Sequence, residues 1–131
     1  MSISEHSPTS DFDRWIAEEF ATRGEFTALI VLVEIGEASV APLCSTYLNV
    51  VGDEIDWGEM TVLFAGAGTN WSGAAFFPVS AAEGGPLDNP SARLRLRDME
   101  NRITASRLVL NEGHFFDHWG RRLRIDEVEL Q

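Results

Sequence analysis

His114, Asp117 and His118, with Glu112 just before them, form the densest cluster of chemically capable groups in the chain. Two histidines four residues apart share one face of a helix, where their imidazoles could hold a divalent metal. Asp117 or Glu112 could add a carboxylate ligand or serve as a general base, as in a small metal-assisted hydrolase. The zinc-protease pattern is incomplete, because Phe115 stands where that motif needs a glutamate. Gly113 and Gly120 bracket the segment and shorten any helix. The competing reading is a loop in which Phe115, Phe116 and Trp119 plug the core while the polar residues face water. A divalent metal on this cluster is the only cofactor the sequence raises.

Other motifs fail on inspection. Residues 66–73 (GAGTNWSG) resemble a phosphate loop, but the dinucleotide fingerprint wants glycine where Trp71 stands, so the stretch reads as a helix stop and a turn. Residues 53–59 (DEIDWGE) begin like a calcium loop, yet Ile55, Trp57 and Phe64 fall on ligand positions. All ten basic residues are arginine. Without lysine there is no Schiff base and no phosphate-loop lysine. Cys44 is the only cysteine, which excludes an internal disulfide and a thiolate zinc cluster; a buried inert thiol is expected there.

A second set of residues suits binding. Trp57, Trp71 and Trp119 each lie near glycine in an expected turn, where an exposed aromatic could anchor a partner. Arg93, Arg97, Arg121 and Arg122 belong to an arginine-rich region that would form one positive patch if the third helix lay near the last strand. Residues 1–92 hold fourteen acids against two arginines, or −12. Residues 93–124 hold eight arginines against four acids, or +4, and the last seven residues add −3. A body so acidic repels nucleic acid and anionic lipid over most of its surface. The expected function is therefore a non-enzymatic protein-binding or regulatory module of adaptor, inhibitor or immunity type, with a basic protein as its partner. The alternatives are the metal site above and a self-associating structural protein in which the acidic half meets the arginine region of another copy. No apolar run is long enough to span a bilayer, and residues 1–10 lack a basic stretch before an apolar one, so the cytoplasm is the expected location.

Such residues need a scaffold. Residues 1–9 read as a flexible tail, and 10–131 as a single domain. Ser10 can cap a helix whose Phe12, Trp15, Ile16 and Phe20 form one stripe, with Glu19 and Arg23 paired and Gly24 as a left-handed stop. Residues 26–34 (FTALIVLVE) suit a central strand buried on both faces. Gly36 and Pro42 mark a connection to a second strand over 43–51, hairpinned to the first. Asp56 and Glu59 suggest a capping box before a second helix. Residues 74–80 form a strand whose end, at Pro78, lies at an edge. Asn89 and Pro90 start a third helix with Ala92, Leu96, Met99 and Ile103 in one stripe and an Asp98–Arg102 pair on its surface. Residues 107–110 suggest a short strand and 121–128 a final one. The expected class is α+β, in the order α-β-β-α-β-α-β: a mixed sheet of four to five strands with helices stacked on one face.

Overall fold

The computed structural model describes residues 9–37, 39–52 and 54–125. Helix α1 (Asp11–Arg23) begins at a complete capping box, in which Ser10 Oγ accepts the Asp13 amide and the Asp13 carboxylate accepts the Ser10 amide. Gly24 ends it at φ 77, ψ −151, a positive-φ stop outside the left-handed helical basin. Strands β1 (Phe26–Ile35) and β2 (Val40–Val50) form the expected hairpin. Pro42 lies inside β2 beside a bulge rather than in the connection, because β2 is an edge strand that tolerates a missing donor. Helix α2 (Trp57–Ala65) starts at Asp56, whose carboxylate accepts the Glu59 amide. Strand β3 (Gly73–Val79) follows, and Pro78 falls beyond the stretch that pairs with the next strand. Helix α3 (Asn89–Ala105) is capped by Asp88, one residue before the expected Asn89. Residues 107–110 are not a strand but part of a 3₁₀ turn (Arg107–Glu112). Strand β4 (His114–Phe116) then closes the sheet.

The class and element order are those expected from the sequence: a small single α+β domain with a four-stranded sheet ordered β2-β1-β3-β4. Every strand pair is antiparallel, rather than mixed. The helices cover both faces, not one. Phe26, Ala28, Ile30 and Leu32 of β1 meet α1 and α2 through Phe12, Trp15, Trp57 and Phe64. Leu29, Val31 and Val33 meet α3 and the 3₁₀ turn through Ile103, Val109 and Leu110. A strand buried at every position from Phe26 to Val33, and apolar at all but Thr27, has two faces to remove from water, so both need a cover. The single buried polar residue of β1 is satisfied, since the Thr27 hydroxyl donates to Asn49 and accepts the Leu87 amide.

The final strand expected over 121–128 is largely replaced. Arg122 makes only an isolated bridge to Phe116, and residues 126–128 lie outside the described residues. The Leu123 amide donates to Phe115 and the Asp117 amide to Arg121, so residues 121–123 fold back along β4. The side chain of Asn111 takes both backbone groups of Ile125, doing locally what a strand would do.

Candidate functional site

The tight turn after β4 gathers part of what the sequence offered: Asp117, His118, Trp119 and Arg121. An Asp-x-x-Gly run, here Asp117 to Gly120, is a common turn signature, with the carboxylate bonding its own backbone two residues on. Asp117 Oδ1 accepts the Trp119 amide at 2.8 Å and the Arg121 amide at 3.0 Å. Its Oδ2 accepts Arg121 Nε at 2.9 Å. Burial pushes the Asp117 carboxyl upward, but these donors outweigh it and hold it below the usual carboxylate value. Gly120 adopts φ +76, which glycine enters without strain. A Cβ at Gly120 would stand 2.9 Å from Trp57 and 3.1 Å from Ser10, so the position has no room for a side chain either.

The turn is anchored to three elements. The Trp57 indole N–H donates to the His118 carbonyl at 2.8 Å, and the Phe12 amide donates to the Gly120 carbonyl at 3.0 Å. The Arg122 amide donates to Asp11 at 2.8 Å. The His118 ring donates through Nε2 to the Trp71 carbonyl at 2.6 Å and packs edge-on against the Trp71 ring. From this clamped base the Trp119 side chain projects into solvent, 67% exposed. The Arg121 guanidinium lies over its ring, 4.8 Å from the centroid, a cation–π contact that limits the indole's freedom.

Of the three tryptophans expected as anchors, only Trp119 stands free. Trp57 is buried at 7% exposure, because the first turn of α2 faces α1 and β4. Trp71 is half-buried between Trp57, Phe64 and His118. An uninterrupted aromatic path thus runs from Phe12 in the core through Trp57, Trp71 and His118 to Trp119.

The polar cluster does not converge. His114 lies in β4, not on a helix shared with His118, because Phe115 and Phe116 alternate between the two core clusters, a strand requirement. Its ring stacks on Trp15 at 4.5 Å, and Nδ1 accepts from Arg122 at 3.1 Å. Burial and the Arg122 charge hold His114 below its ordinary pKa, so the neutral ring is favoured. Glu112 pairs with Arg102 at 2.7 Å, in place of the expected Asp98–Arg102 contact. Among the described residues, no three His, Cys, Asp or Glu groups are placed to hold a metal.

Nor do the arginines form one patch. Arg93 and Arg97 are exposed on α3, which packs across β2 and β1 on one face of the sheet. Arg121 and Arg122 lie beside β4 and α1, at the far edge and on the other face. Cys44 is half-buried in β2 rather than buried, because β2 is an edge strand and the thiol lines a groove beside Leu63. Sequence reasoning missed Asp117 as the organiser of the turn and Gly120 as the residue that closes it, although the Asp-x-x-Gly spacing was legible. Compared with protein-family models, characterised proteins and solved structures, the chain matches none of them.

Proposed function

We propose that this chain is a non-enzymatic protein-binding module that docks its partner on Trp119. The observation that carries the reading is an indole two-thirds exposed on a turn fixed by hydrogen bonds to α1, α2 and the loop before β3. Tryptophan and arginine are both enriched at interface hot spots. A side chain ordered before contact loses little entropy on binding, which favours affinity. The acidic surface, net −11, steers a partner carrying basic charge toward the molecule. Arg121 does not oppose this, because Asp117 matches its charge within the turn.

The test compares immobilised wild-type protein with Trp119→Ala in a host lysate at moderate salt, with captured proteins quantified. A partner retained by the wild type and reduced about tenfold or more by the substitution supports the reading, since truncating a hot spot removes 2 kcal/mol or more, by order of magnitude. Equal capture by both proteins, or capture of nothing, removes it.

A further inference from the structure

We infer that β2 is a self-pairing edge, through which two copies of this chain join their sheets antiparallel. The sheet has two edges, and they are treated differently. At β4, residues 121–123 fold back and bond to the strand. At β2, an eleven-residue strand, no described segment lies alongside. The Val33 carbonyl and the Ile35 amide both turn to Ser72, on the β3 side of β1. Backbone direction alternates along a strand, so Ala28, Ile30 and Leu32 serve β2, and their partners Leu48, Thr46 and Cys44 point inward. The amides and carbonyls of Ser45, Tyr47 and Asn49 therefore point out of the sheet, and none bonds to any described residue.

Exposed edges normally carry charge, proline or a bulge that discourages pairing. Here Pro42 and the bulge protect only the start of β2. No charged residue occurs anywhere from Val40 to Gly52. The absence of charge identifies the occupant. A basic strand would be matched by acids on this edge, which a chain with 21 of them could readily supply. A second copy of so acidic a chain needs the opposite, a strand with no acid of its own; the acid nearest this edge is Glu100 of α3, whose carboxylate accepts the Ser45 hydroxyl on the α3 face. Antiparallel pairing about a two-fold axis at Tyr47 meets that need: Tyr47 faces the partner's Tyr47, Ser45 faces the partner's Asn49, and Thr46 faces the partner's Leu48. Every one of these pairs is neutral, and cross-strand aromatic pairs are favourable. The arrangement also extends a groove of about 550 Å³ between β2 and the end of α2, where Leu63 is half-exposed beside Cys44 and Thr46. The partner's Leu48 would then lie at the mouth of that groove.

Sedimentation of the full chain from about 1 to about 100 μM, a span that covers ordinary homodimer affinities, tests the pairing. Thr46 is exposed, so Thr46→Glu and Thr46→Lys leave the fold intact, which circular dichroism checks. Either charge would meet its own copy diagonally across the two-fold, so both variants should weaken the dimer about tenfold or more. Requiring both signs to act separates strand pairing from an effect of net charge. Added salt should preserve or tighten the wild-type dimer, because it screens repulsion between two acidic chains. A monomer throughout the range, a dimer unmoved by either substitution, or a dimer dissolved by salt would each overturn the inference. None of these outcomes bears on Trp119, which lies away from this edge.

Discussion

The indole N–H of buried Trp57 is bonded to the carbonyl of His118, the residue directly before the exposed Trp119. One tryptophan thus holds the backbone from which another is displayed. The two residues look alike in the sequence, each beside a glycine in a polar stretch, yet they divide support and display between them.

That division predicts opposite consequences for stability. Trp57→Phe leaves the His118 carbonyl without its donor and opens space beside Phe12 and Phe64, and should cost about 2 kcal/mol. Trp119→Ala should change stability by less than about 0.5 kcal/mol, as for other exposed side chains. Urea unfolding of the two variants checks both values. Equal destabilisation would contradict the assigned roles.

Gly120 and Gly84 separate strain from crowding. Both have positive φ, but a Cβ at Gly84 meets nothing within 4 Å, whereas one at Gly120 meets Trp57 and Ser10. Gly84→Ala should therefore cost about 1 kcal/mol, the backbone penalty alone, and Gly120→Ala clearly more, about 2–4 kcal/mol. Denaturation midpoints give the order directly.

Tryptophan fluorescence reports the same geometry. Trp15 and Trp57 are buried and Trp71 is half-buried, so neutral acrylamide should reach Trp119 first. Trp119→Phe should remove most of the readily quenched emission, leaving a bluer spectrum. Retention of that fraction would place a second tryptophan in solvent.

Acid should loosen the β4 edge through His114. Burial, followed by the Arg122 charge, depresses its folded pKa below the ordinary 6.5. A depressed pKa means that the unfolded chain binds the proton more readily. The neutral ring's contribution is therefore complete above pH 6.5 and is lost as pH falls from there through the folded value. His114→Phe keeps an aromatic ring against Trp15 without a titrating group, so its stability should fall less between pH 7.5 and 5.5 (about one unit either side of the ordinary value). Asp117, also depressed, acts in the same direction but only below its ordinary 3.8. Urea midpoints across the pH range distinguish the two windows.

Local signals were legible at the helix starts. Ser10 and Asp56 cap their helices as expected, and the stripe through Ala92, Leu96, Met99 and Ile103 faces the core. Caps and stripes involve residues within one or two turns of each other, so the sequence contains the whole interaction. The candidate site was less legible. The sequence drew attention to residues 114–120, but neither of its two readings fits the structure whole: His114 and His118 are not a helical pair, and of Phe115, Phe116 and Trp119 only the phenylalanines enter the core. Two residues in an extended strand followed by a turn do not keep the spacing of a helix.

What the sequence by itself determined is what depends on near neighbours: the class, the order of elements, the double-sided apolar character of β1 and the acidity of the chain. Tertiary structure alone decided which tryptophan would be buried, which edge of the sheet no described segment would line, and that α3 would carry Arg93 and Arg97 away from Arg121 and Arg122. These outcomes rest on contacts such as Trp57 with His118 and Asp11 with Arg122, between residues far apart in the chain. Contacts of that kind are fixed only when both core faces close together, and no local periodicity encodes the partner.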